Sequence, residues 1–127
     1  MPTKTIPHFD FKILDRPDVA ARVIAAGEDI VVVDGTPAKE MYLLRKGRAR
    51  VHRDGHDLEE VEAGGIFGEM ALIDQAPRDA TVTAIKDCEV IPIDERLFVN
   101  LVQNAPYFGL EVMRTLVTRL RTMNMEV

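Results

Sequence analysis

Between Val19 and Ile93 the apolar residues come in short runs, each closed by turn residues. Ala21-Arg22-Val23-Ile24 is the first run, and Gly27-Glu28-Asp29 turns the chain after it. Ile30 to Val33 follows and is stopped by Asp34-Gly35-Thr36-Pro37; Met41-Tyr42-Leu43-Leu44 comes next and ends before Gly47. Arg48-Ala49-Arg50-Val51-His52 alternates polar and apolar, so Ala49 and Val51 share one face of a strand. Asp54-Gly55 suits a two-residue hairpin, whose central positions need positive φ. Leu58 and Val61 return on the partner strand. Many short strands at near-regular spacing predict a β-sandwich or barrel-like roll over residues 19–93.

The period changes after Ile93. Asp94 can cap a helix, with Glu95 in its first turn and Leu97, Phe98, Leu101 and Val102 on one face. Asn104-Ala105-Pro106 ends that helix, and a second one is predicted from about Tyr107 toward Met125, roughly 27 Å long at ~1.5 Å per residue. In it Met113, Leu116, Leu120, Met123 and Val127 recur at spacings of three and four, a heptad-like seam. The seam fits either packing on the β-domain or pairing of two copies through residues 107–127. Residues 1–18 are weakly patterned. Phe9, Phe11 and Ile13 alternate with their neighbours as in an extended arm, which Pro17 interrupts.

At 127 residues the chain is one domain, long enough to bury a core without disulfides. Its single cysteine, Cys88, sits beside Val90 and Ile91 and is expected to be a buried, inert thiol. The net charge of −5 argues against non-specific nucleic-acid binding, which needs a basic footprint. No apolar run approaches membrane-spanning length and the N-terminus lacks an apolar export core, so a cytoplasmic location is expected.

The segment that carries chemistry is Phe67-Gly68-Glu69-Met70-Ala71-Leu72-Ile73, followed by Arg78-Asp79-Ala80-Thr81-Val82. Gly68 lets backbone approach a ligand closely. Glu69 to Ile73 form one predicted helical turn whose first N–H groups lack intrahelical partners and suit an anion. Arg78 offers a planar fork for phosphate oxygens. Glu69, when ionised, accepts a hydroxyl proton and does not bind phosphate. Ala80 and Thr81 add backbone N–H groups and one hydroxyl, and Val51 and Leu58, on facing strands of the hairpin, could line a sugar and base. Taken singly these features are ordinary: a loop arginine is usually solvated or paired with a neighbouring acid, here Glu69 or Asp79.

In order and spacing the segment resembles the phosphate-binding cassette of the cyclic-nucleotide-binding domain family. The resemblance runs from about Val19 to Met125, with further matches at Gly27-Glu28, Gly35, Tyr42-Leu43-Leu44 ending at Gly47, and Gly64-Gly65. It implies a mainly β fold, an eight-stranded β-roll with a short cassette helix and two C-terminal helices. It also implies that Glu69 binds the ribose and Arg78 the cyclic phosphate. Gly68, Met70, Ala71, Asp79 and Ala80 then contribute backbone around the phosphate. Thr122, Met123 and Asn124 are candidates to cap the base. Asp79 departs from the pattern: small or hydroxyl residues are common there in the family. A carboxylate aimed at the phosphate opposes binding; one aimed at solvent does not. It also lacks the hydroxyl that some cGMP-preferring relatives use.

The resulting expectation is a stand-alone cytoplasmic sensor of a cyclic nucleotide, cAMP preferred, that is not an enzyme. It has no catalytic residues, no cofactor beyond the ligand, no direct nucleic-acid or membrane contact and no effector domain, so it signals through a protein effector or a homodimer. Two other readings stay open. One is a β-roll that has lost its ligand and serves protein interaction. The other is a cupin-like metalloprotein using His52 and His56 beside Asp54 and Asp57, with His8 far away in sequence; no metal site is expected.

Overall fold

The computed structural model describes residues 14–75 and 77–125, with residues 122–125 given as backbone only. Phe9, Phe11, Ile13, His8 and Val127, for which the sequence raised expectations, lie outside the described residues, and so do the side chains of Thr122, Met123 and Asn124. In chain order the elements are β1 (Arg22–Ile24), β2 (Asp29–Val31), β3 (Glu40–Lys46), β4 (Arg48–Arg53), β5 (His56–Glu62), β6 (Ile66–Phe67), α1 (Glu69–Asp74), β7 (Thr81–Ala84), β8 (Cys88–Asp94), α2 (Glu95–Asn104) and α3 (Pro106–Met125). Two four-stranded antiparallel sheets, ordered β1-β8-β3-β6 and β2-β7-β4-β5, make the roll that the resemblance implies.

The sequence pattern of each strand follows from what covers it. In β3, Tyr42 and Leu44 face the space between the sheets with Phe67, Val82, Val90 and Ala49. Met41 and Leu43 face the opposite way, into a second core with Ile91, Ile93, Leu72, Leu101, Phe108 and Val112, where the helices pack. A strand buried on both faces cannot alternate, which is why Met41 to Leu44 reads as a continuous apolar run. β4 has one covered face: Ala49 and Val51 point inward while Arg48 pairs with Glu60 and Arg50 reaches Asp57 at 2.9 Å.

Local signals set the boundaries. Asp54 (φ 52°) and Gly55 (φ 79°) make the β4–β5 hairpin. The Asp94 side chain accepts from the Leu97 backbone N–H at 2.8 Å and starts α2. Pro106 opens α3, where its missing N–H costs nothing. Cys88 is buried, its thiol directed at the Lys86 and Arg48 carbonyls at 3.2 and 3.3 Å, and burial pushes its pKa up.

On the hairpin, Val51 and Leu58 lie on the facing strands β4 and β5; the register pairs Val51 with Glu59 and His52 with Asp57, so Leu58 is the extra residue of a β-bulge. One expectation needs correction: the described part of the α3 seam is not one face. Leu116 packs on the helix-side core, whereas Met113 and Leu120 are 57% and 46% exposed. The outward stripe is Met113, Val117 and Leu120, at spacings of four and three.

Candidate functional site

The site is built where β6 runs into α1. Gly68 takes the N-cap position in a left-handed conformation (φ 79°), with no side-chain cap. The positive φ is what calls for glycine here; a Cβ would lie 2.5 Å from Nη1 at the end of the Arg78 side chain, so any larger residue would also displace that guanidinium. Arg78 Nη1 donates to the Gly68 carbonyl at 2.7 Å, and Nη2 donates to the Glu40 carbonyl. The guanidinium carbon stands 5.8 Å from the centroid of the Tyr42 ring. Tyr42 donates its hydroxyl proton to Glu40 Oε1 at 2.7 Å, and Arg22 Nη1 donates to that same oxygen at 3.0 Å. Burial, then the Glu40 carboxylate, pushes the Tyr42 pKa up to about 12, so the hydroxyl remains a donor across the physiological range.

Glu69, the next residue after Gly68, is 1% exposed. Its Oε1 is bound by Arg119 Nη1 from α3, while Oε2 is buried with no hydrogen-bond partner. Arg119 also donates from Nη2 to the Ile66 carbonyl at 2.8 Å and holds Nε 2.9 Å from Glu59 Oε1 of β5. One cation thereby ties α3 to the cassette and to the hairpin strand. Burial disfavours the charge, but Glu69 and Glu59 outweigh it and the Arg119 pKa moves above the ordinary arginine value.

Sequence reasoning did not include Arg119. The signal was present: it continues the buried α3 face of Phe108, Val112 and Leu116, and a charge in that frame must meet a partner.

The remaining predicted residues fall as follows. Ala71 is half-buried and Met70 exposed on α1. Ala80 is half-buried, and Thr81 opens β7 opposite His52. Asp79 is turned to solvent, its carboxylate 3.6 Å from Arg53 at the end of β4. Val51 is half-buried against the inter-sheet core, and Leu58 is 45% exposed in its bulge. His52 Nε2 lies 2.8 Å from the Thr83 hydroxyl, which donates to Asp29 at 2.6 Å. Among the described residues no group of three or more His, Cys, Asp or Glu is placed to hold a metal ion.

A family model of the cyclic nucleotide-binding domain matches residues 22–105, about two thirds of the chain. The chain belongs to this family. It is 33% identical over 73 residues to the cAMP-dependent protein kinase regulatory subunit of Hypocrea atroviridis, a match covering 58% of this chain and 16% of that protein. It is 27% identical over 74 residues to a cGMP-dependent protein kinase of Drosophila melanogaster, covering 58% of this chain and 7% of that one. The crystal structure of the Thermus thermophilus catabolite activator protein superposes with a TM-score of 0.75 at 26% identity, over 85% of this chain and 53% of that chain. The chain thus spans a small part of the kinase-related proteins and about half of the Thermus protein. No described helix is long and apolar enough to cross a membrane.

Proposed function

We propose that this chain is a regulatory module that binds cAMP in preference to cGMP and acts without catalysing a reaction. The observation that carries the reading is the Glu69 carboxylate: fully buried, ionically held on one oxygen, and unpartnered on the other. An orphaned buried carboxylate oxygen is costly, and a ligand hydroxyl would satisfy it. Gly68 joins this acceptor to the one cassette cation, Arg78, so an acceptor for a ribose 2′-hydroxyl and a donor fork for a cyclic phosphate meet at the Gly68 turn. Backbone of Gly68, Met70, Ala71, Asp79, Ala80 and Thr81 completes the phosphate side. Val51 and Leu58 line the sugar and base side, and the end of α3 at Thr122, Met123 and Asn124 approaches the base.

The solvent-facing carboxylate of Asp79 leaves its backbone N–H available and keeps its charge off the phosphate. Its lack of a hydroxyl is the basis for preferring cAMP. The names of the relatives divide between the two nucleotides, so the base is decided by titration. The output runs through α3: Arg119 links it to Glu69, and its outward stripe of Met113, Val117 and Leu120 supplies a surface for a homodimer through residues 107–127 or for a protein effector. The reading places the domain in the cytoplasm.

Calorimetric titration with cAMP and cGMP is the test. Saturable binding, tighter for cAMP, is expected. Absence of heat with both nucleotides on folded protein returns the chain to the interaction-module reading.

A further inference from the structure

The Arg78 guanidinium carbon stands over an aromatic ring whose hydroxyl is itself tied to two further side chains. Tyr42 is 7% exposed and stacks on Phe67 with centroids 5.2 Å apart and planes 19° apart. The Arg78 guanidinium carbon lies over the same Tyr42 ring, 5.8 Å from its centroid, within the roughly 6 Å reach of cation–π attraction. The hydroxyl is pinned by Glu40 Oε1, and Arg22 of the edge strand β1 pins that carboxylate in turn. Glu40 and Tyr42 are two apart on β3 and so project from one face of the strand. The carbonyl of Glu40 and the ring of Tyr42 therefore meet the same guanidinium.

This inference rests on reading Arg78 as the phosphate ligand. We propose that Tyr42 is a positioning residue for Arg78, fixing the plane of the guanidinium toward the Gly68 turn before an anionic ligand arrives, with Glu40 and Arg22 fixing the ring. A guanidinium carries five N–H donors, so the two carbonyls it meets do not exhaust the fork. A free arginine side chain would have to be ordered on binding; one already clamped loses less conformational freedom at that step. Leucine or valine would fill the inter-sheet core at this position, but neither offers a negative face to the cation.

The test replaces Tyr42 with rings of equal shape and falling electron density: Tyr42→Phe, then 4-fluoro- and pentafluoro-phenylalanine incorporated at the same position. Affinity for cAMP by calorimetry should fall along the series, by roughly 2- to 30-fold from first to last, the span of a cation–π contact that is partly desolvated. A ring that only packs would give a flat series, and a flat series overturns the proposal. A second measurement needs no ligand. In the free protein the Arg78 side-chain proton resonances should be shifted upfield by the ring current, in the wild type and in Tyr42→Phe alike. Tyr42→Leu should return them to ordinary arginine positions, provided it folds; with the fluorinated rings they should move part of the way. If the wild type binds neither nucleotide, the functional reading fails and the resonances alone judge the clamp. Unshifted Arg78 resonances in the wild type overturn it.

Discussion

Replacing Arg119 with methionine isolates the tie between α3 and the cassette. Methionine keeps much of the length and apolar stem of the side chain and removes its donors and charge. Glu69 then becomes a fully buried carboxylate with no cation on either oxygen, and the Ile66 carbonyl loses its donor. Breaking a buried pair from one side costs about 3–5 kcal/mol. The lower half of that range applies here, because Arg119 is itself 15% exposed and Glu59, at 24%, can turn to water. A loss of about 3 kcal/mol in a domain of this size lowers Tm by roughly 10–15 °C. Removing the stranded charge as well, in Arg119→Met with Glu69→Gln, should recover at least about 1.5 kcal/mol of the loss expected from adding the single substitutions. Urea unfolding of the four proteins, with m held constant as a check on two-state behaviour, measures this coupling. Effects of the single substitutions that add to within about 0.5 kcal/mol would show that Arg119 and Glu69 do not interact, and the link from cassette to α3 would be lost with them.

Four further outcomes are expected. Arg78→Ala should weaken cAMP binding by about 2–5 kcal/mol, roughly 30- to 4000-fold, while circular dichroism shows the fold retained; calorimetry showing near-normal affinity would remove Arg78 from the site. Glu69→Gln should weaken binding less than Arg78→Ala in the same calorimetric assay, since the amide still accepts a proton but carries no charge. The raised pKa of Tyr42 contributes stability that is complete below the ordinary tyrosine value of about 10 and is lost as pH rises through about 12, on the order of 2 kcal/mol; chemical unfolding across that window should show the loss in the wild type and a flatter profile in Tyr42→Phe. Saturating cAMP should change hydrogen exchange in residues 107–127, the sedimenting mass, or both; if neither moves, α3 is not the output element, because a tenfold preference for one of its arrangements would already supply about 1.4 kcal/mol.

The parts of the fold legible in the sequence are those fixed by local chemistry. Asp54-Gly55 needs two positive φ angles and forms the hairpin; Asp94 caps α2; Gly68 opens α1 at a positive φ. The cassette residues Glu69 and Arg78 were legible because both lie within eleven residues of Gly68, on one turn and the loop after it. What was not legible depends on partners distant in sequence. Arg119 meets Glu69 across 50 positions, and nothing near Arg119 names that partner. The bulge at Leu58 depends on how β4 and β5 register with one another, which neither strand's own pattern shows. Which face of α3 turns inward was not legible, for a geometric reason. Spacings of three and four from Met113 to Leu120 are satisfied through Leu116 or through Val117, and only the core of Phe108 and Val112 decides which side faces in. Tyr42 read as one residue of an apolar run, and its contact with Arg78 appears only when β3 is brought beside the cassette.

The Glu69 carboxylate carries the functional reading, so its unpartnered oxygen is the atom to probe. Calorimetric titration of cAMP and of its 2′-deoxy analogue into the wild type and Glu69→Gln does so with one ligand atom and one protein group changed. The wild type should bind the deoxy analogue about 10- to 150-fold more weakly, the worth of a hydrogen bond to a charged acceptor, and in Glu69→Gln that ratio should shrink to a few-fold. An identical ratio in both proteins would mean that the ribose hydroxyl and Glu69 do not meet.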